Sequence, residues 1–274
     1  MMTMGATVAT RAVSRPLSAL ASAAFFMGGC AGTDSEDGRT QLSILAASSL
    51  TEAFTAMEVG FETSHPDVDV VITFAGSQVL RLQVEQGASA DLFASANEAH
   101  AYALADAGLA ESPRILAHNR LALILPPDNP AQISSFGDLP QASRLVVGTD
   151  HVPLGIYTRA MLDRADVSLG AGFADRVRAR VVSKENNARL VRAKVELGEA
   201  DAAIVYQTDA MASDRVRLIE IPEDVNVRTP YVTAVLTEAA GGAASSAAAD
   251  FVAFTRSEEA RAILVRYGFD VEGA

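Results

Sequence analysis

A chain of 274 residues and 28.7 kDa, 49% of it hydrophobic, is long enough for one large or two smaller packed cores. Lys and Arg number 22 against 34 Asp and Glu, a formal net charge of -12, and the absence of basic runs or aromatic-basic interleaving excludes a nucleic-acid surface. A small anion stays admissible, because backbone dipoles at a helix start bind it locally whatever the total charge.

No acid precedes Asp34, Arg11 and Arg15 are basic, and an apolar stretch from Leu17 to Met27 ends in "MGGCAG". Residues 1–29 therefore read as a secretory signal. Its apolar part, about 11 residues, falls short of the roughly 20 that span a bilayer. The only cysteine, Cys30, lies among the small residues Gly28, Gly29 and Ala31 and resembles a bacterial lipobox, with Met27 in place of the more usual Leu. That resemblance implies cleavage before Cys30 and acylation of its thiol. An ordinary signal with an incidental cysteine is the alternative. A lone Cys forms no internal disulfide, and lipidation accounts for one in an exported chain. Residues 30–40 then read as a polar tether from the lipid anchor to the folded body.

From Gln41 onward, short β-rich runs alternate with longer helical ones, which predicts an α/β fold with mostly parallel sheets. The predicted strands are "LSILAA", "VDVVITFA", "DLFASA", "RLALILP", "RLVVGT", "AAIVYQ", "VRLIEIP" and "YVTAVLT". Between them fall helices over Leu50 to Glu62, Gln78 to Glu85, Glu98 to Ala107, Ile156 to Arg164 and Ala188 to Leu197. Gly87, Gly108 and Gly198 are placed to stop three of these. Two more helices, Ala247 to Thr255 and Glu258 to Tyr267, follow the low-complexity "EAAGGAASSAAAD". Pro126, Pro127 and Pro130, and the segment "PEDVNVRTP" before Tyr231, are the expected chain crossings. They divide the body into lobe one, residues 41–122 plus 229–274, and lobe two, residues 123–228.

His65, His100, His118 and His151 are scattered, so no metal-ion ligand set is expected, and neither a G-x-S-x-G elbow nor a Walker loop occurs. "GAGFAD" at Gly170 lacks the third glycine of a dinucleotide loop. What remains are helix starts just after strands, where unpaired N–H groups and a partial positive charge receive ligands. Three stand out: "AASSL" at Ser49, "FAGSQV" at Ser77 and "HVPLGIY" around Leu154. Ser49 and Glu52 have capping-box spacing, and Ser77 suits an N-cap. Capping leaves a hydroxyl's proton available, so both roles stay open.

"AASSLTEAF", "FAGSQVL", "QGASADLFASAN", "HVPLGIYTRAML", "KVELGEADAAIVYQTDA" and "ARAILVRYGF" together resemble, in order and spacing from Leu42 to Phe269, the periplasmic molybdate-binding proteins of ABC importers. The resemblance implies a two-lobed periplasmic binding protein type II fold, with a ligand cleft between lobes. Its implied oxyanion donors are the hydroxyls of Ser49 and Ser77, the backbone N–H groups of Leu154 and Ala188, and the Tyr206 hydroxyl. Ser48, Gly76 and Asn187 are additional candidates. Asn186 stands where that family commonly has Glu, and Ala188 where it has Val, which bears on how the second helix start is fixed.

The resemblance further implies a binding protein, not an enzyme, that takes molybdate or tungstate without a cofactor, the metal bound only as the oxyanion. Its expected partners are a permease and, through the Cys30 lipid alone, the membrane. The chain is expected to be a monomer on the periplasmic side and to bind no nucleic acid. A sulfate or other small-anion binder, a serine hydrolase using Ser49 or Ser77, and a purely structural lipoprotein are the alternatives. No His is placed to activate either serine for hydrolysis.

Overall fold

The structure, a computed structural model, describes residues 38–237 and 246–272. The predicted signal and Cys30 lie outside the described residues, as does most of the tether. Among the described residues no helix is long and apolar enough to cross a membrane.

Two five-stranded sheets organise the chain. The first contains β1 (Thr40–Ala47), β2 (Val68–Ala75), β3 (Leu92–Ser95), β4 (Arg114–Asn119) and β10 (Thr229–Val235), in the order β2-β1-β3-β10-β4. The second contains β5 (Leu121–Leu125), β6 (Leu145–Gly148), β7 (Val181–Glu185), β8 (Ala202–Tyr206) and β9 (Arg217–Glu220), in the order β7-β6-β8-β5-β9. In each sheet a single strand, β10 or β5, runs against the others. The expectation of mostly parallel sheets holds in that sense.

Nine α-helices flank the sheets among the described residues: α1 (Thr51–Ser64), α2 (Ser77–Glu85), α3 (Glu98–Asp106), α4 (Pro153–Ser168), α5 (Phe173–Arg178), α6 (Ala188–Glu196), α7 (Gln207–Met211), α8 (Ser246–Phe254) and α9 (Glu258–Arg266). In α1 the buried residues Ala53, Phe54, Met57 and Phe61 recur at helical spacing. Phe54 and Phe61 meet Phe251 of α8, with ring centroids 6.0 and 5.1 Å apart. Aromatic side chains buried this fully stabilise by about 1.5–3 kcal/mol each. The glycines expected to stop α2, α3 and α6 all do so in left-handed backbone.

Some elements were not predicted. β4 was not expected: the predicted strand "RLALILP" covers β5, and β4 precedes it with Arg120 alone between them, the two pairing in different sheets. β7 is short and half-exposed at a sheet edge, while α5 and α7 have six and five residues. The first crossing also differs from expectation. β5 already pairs within the second sheet, so the chain passes over at Arg120, ahead of Pro126 and of the boundary at 122. The return runs from Glu220 to Thr229. Asn226 in this return bonds both backbone groups of Leu121, at 3.0 and 2.9 Å, and so ties the two crossings together.

Candidate functional site

Every residue singled out for anion binding follows the carboxyl end of a strand that runs parallel to its neighbour. Ser48 and Ser49 follow β1, Gly76 and Ser77 follow β2, Leu154 stands in the turn after β6, Asn187 and Ala188 follow β7, and Tyr206 closes β8. The two sheets direct these ends towards one another. All eight residues line a single cavity of ≈ 20 Å³, with Ala47, Ala75, Gln78, Ala96, Val152 and Pro153. No charged side chain is part of that lining.

Each donor is prepared differently. Ser77 is not the N-cap of α2; Gly76 is, and Ser77 is the first helical residue. Its Oγ accepts from the Ala96 backbone N–H at 3.1 Å, so its own proton is directed elsewhere. Ser49 departs further from expectation. A 3-10 turn over Ser48–Leu50 delays α1 to Thr51, and no capping box forms. Ser49 Oγ instead lies 2.7 Å from the Tyr231 hydroxyl, and Glu52 pairs with Arg189 at 2.7 Å.

Tyr206 is 2% exposed, its ring set edge-on to Tyr231, and its hydroxyl has no hydrogen-bond partner among the described residues. Burial, with Tyr231, Tyr157 and Asp209 nearby, pushes this phenol well above its ordinary value, so it keeps its proton at neutral pH. Leu154 and Ala188 sit in the first turns of α4 and α6, where backbone N–H groups have no partner inside the helix. The Asn187 side chain caps α6 by accepting from Leu190 N at 3.0 Å. Asn186 contributes only its carbonyl, so the departure there leaves the helix start fixed by its neighbour.

Several side-chain contacts join residues around the first sheet to residues around the second, three of them near the cavity. Gln78 Nε2 donates to the Asn186 carbonyl at 2.8 Å, Asn97 Nδ2 to the Tyr157 hydroxyl at 2.9 Å, and Arg189 to Glu52. Gly76 lets the first of these close: a Cβ there would lie 2.6 Å from the Asn186 carbonyl oxygen. These ties, and the Tyr231 contact across 182 positions of sequence, had no local signal to reveal them.

Behind Tyr206 lies Asp209, 2% exposed, one of its carboxylate oxygens without a partner. Burial raises it to about 7, opposed by Arg192 and reinforced by Glu52. Among the described residues, no three His, Cys, Asp or Glu come together as a metal-ion site. Chemically, the cavity offers neutral hydrogen-bond donors from two serines, a tyrosine and two helix starts. Such a set suits a small, fully deprotonated anion.

The profile of bacterial extracellular solute-binding proteins matches residues 42–270. The chain belongs to that family. It is 36% identical over 235 residues to the molybdate-binding protein ModA of Mycobacterium tuberculosis (strain ATCC 25618 / H37Rv), covering 85% of each chain. To the molybdate-binding protein ModA of Escherichia coli (strain K12) it is 32% identical over 242 residues, covering 85% of this chain and 90% of the relative. The periplasmic molybdate-binding protein of Azotobacter vinelandii, a solved structure, has the same fold, with a TM-score of 0.71 at 20% identity over 84% of this chain and 99% of the other. The family is one of solute capture rather than catalysis.

Proposed function

We propose that this solute-binding protein captures molybdate, and tungstate by the same chemistry, for delivery to an ABC importer permease. The donors are Ser49, Ser77 and Tyr206 through their hydroxyls and Leu154 and Ala188 through backbone N–H, with Ser48, Gly76 and Asn187 beside them. The strongest support is the buried, protonated, unpartnered Tyr206 hydroxyl in a cavity it shares with Ser49 and with Ser77, whose oxygen accepts from Ala96 N–H and leaves its own proton available. Identity to molybdate-binding relatives supports the choice of anion.

Neutral donors held in place stabilise a dianion because little solvent screens them. An anion that keeps a proton loses here. That proton finds no carboxylate in the lining, and wherever it fails to reach a free side-chain acceptor there such as Gln78 Oε1, it costs roughly 1–3 kcal/mol as a buried unpaired donor. The two sheets with their helices act as lobes that close on the anion, moving at the crossings around Arg120 and residues 221–228. The ties between the sheets near the cavity then hold the closed form. Cleavage before Cys30 and acylation of its thiol leave the body, as a monomer, tethered to the membrane on the periplasmic side.

A calorimetric panel of molybdate, tungstate, sulfate and phosphate tests the anion. Tight heats for the first two and weak or no heats for phosphate are expected. Binding of sulfate or phosphate with no response to molybdate would remove the assignment. For the anchor, Cys30→Ala should release the mature chain from the membrane fraction.

A further inference from the structure

Behind Ser49 lies a buried chain of polar groups whose hydrogen-bond directions are fixed from its far end. Asn119 is 1% exposed and ends β4 at the crossing. Its Oδ1 accepts from the Arg120 backbone N–H at 2.8 Å, which settles the orientation of the amide. Nδ2 therefore faces the other way. It donates to Thr208 Oγ1 at 2.9 Å and, at a longer 3.4 Å, to the Tyr231 hydroxyl oxygen. An amide N–H only donates, so the Tyr231 oxygen is an acceptor there. Between the Tyr231 and Ser49 oxygens, 2.7 Å apart, one proton must lie. If Ser49 supplied it, the Tyr231 proton would be left buried and unpaired, because the neighbouring Tyr206 hydroxyl makes no hydrogen bond among the described residues.

We infer that Asn119 and Tyr231 are positioning residues that set the polarity of Ser49: Asn119 donates to Tyr231, Tyr231 donates to Ser49, and the Ser49 proton is thereby committed to the anion. This rests on the reading of the cavity as an oxyanion site. The same amide is held by the backbone of the crossing, so the direction of a ligand-donating hydroxyl is anchored where the lobes pivot. Neither Asn119 nor Tyr231 lines the cavity.

Reversing the relay tests it. In Asn119→Asp the carboxylate accepts where the amide donated, so Tyr231 turns its proton to Asp and Ser49 must donate to Tyr231. Anion affinity, measured at pH 8 with whichever of molybdate, tungstate, sulfate or phosphate the unmodified protein binds, should fall roughly 10- to 100-fold. Tyr231→Phe alone should cost only about three- to tenfold, because Ser49 keeps its proton. The deciding variant is the double one. Asn119→Asp with Tyr231→Phe should recover to the level of Tyr231→Phe alone, whereas a charge or folding defect at position 119 would persist, and that persistence would overturn the relay. Where Asn119→Asp does not fold, Tyr231→Phe is measured in the Ser49→Ala background. No further loss of affinity is expected there, and a full additive loss refutes the coupling. Binding of none of the four anions by the unmodified protein would overturn the site and the relay together. Binding with unchanged affinity in Asn119→Asp would overturn the relay alone.

Discussion

Tyr206→Phe removes a single oxygen, and the structure separates its two consequences. The hydroxyl bonds no described residue, so its loss breaks nothing inside the protein, and the ring keeps its edge-on contact with Tyr231 at 5.6 Å. Unfolding free energy in urea should therefore stay within about 1 kcal/mol of the unmodified protein. A hydrogen bond to a charged partner is worth about 1.5–3 kcal/mol, so molybdate affinity should fall roughly 10- to 150-fold. Calorimetric titration with molybdate beside urea unfolding of ligand-free protein gives both numbers. The opposite pattern, a stability loss above about 2 kcal/mol with affinity unchanged, would make the hydroxyl structural and remove Tyr206 from the donor set.

Ser77→Ala should behave differently, lowering affinity by a similar factor and also stability by about 1–3 kcal/mol, because the buried Ala96 N–H loses its acceptor. The same two assays check it, and an affinity loss without a stability loss would contradict the Ala96 contact. Gly155→Ala would put a Cβ 1.9 Å from the Thr149 carbonyl oxygen and 2.7 Å from that of Gly148. A stability loss of about 3 kcal/mol or more is expected in urea, with weaker anion binding as the start of α4 shifts; a neutral variant would mean the turn opens freely. Asp209, raised from 3.8 to about 7, binds its proton more tightly folded than unfolded. The stability it contributes is complete below pH 3.8 and is lost as pH rises through about 7, up to about 4 kcal/mol in all. Asp209→Asn should thus gain on the unmodified protein between pH 4 and pH 8, and a flat difference across that range would refute a buried neutral acid.

The strand-to-helix junctions at Ser49 and Ser77 were legible because an apolar run, small residues and a new amphipathic period follow each other within a few positions. The strands β1, β2 and β8 were legible for the same reason. Leu154 and Ala188 would act through the main chain, so their side chains carry no chemical signal; Leu154 was legible only as part of a helix start after a strand, and only the similarity of whole motifs pointed to Ala188. At Ser49 the local rule misled. S-x-x-E spacing is present, yet the Thr51 hydroxyl bonds the Ser48 carbonyl at 2.7 Å and a 3-10 turn precedes the helix, which releases Glu52 to Arg189. A capping rule reads four residues, whereas Tyr231 and Arg189 compete for those groups from 182 and 137 positions away. The crossing at Arg120 was illegible for a related reason. The expected strand "RLALILP" begins at Arg120, but nothing in "RILAHN" marks a separate strand of the other sheet until its partner β10 is in place.

An anion site on a chain of net charge -12 looks contrary to electrostatics, and the local arrangement explains why it is not. Charges beyond about 8–10 Å are largely screened at physiological salt, so the acids that matter are those tied to the site's own residues. Two are: Glu52, in the first turn of α1, and Asp209, three positions after Tyr206. Glu52 is paired with Arg189 across the cleft, and burial holds Asp209 largely protonated as pH falls below about 7. Arg189 thus joins the two halves and offsets an acid beside the site, though a half-exposed pair of this kind contributes only about 0.2–1 kcal/mol. Affinity must then come from the fixed donors. On the proposed reading, their number and direction, with Ser49 set by the inferred relay and Ser77 by its bond from Ala96 N–H, decide which anion is held, while the bulk charge acts mainly on the approach.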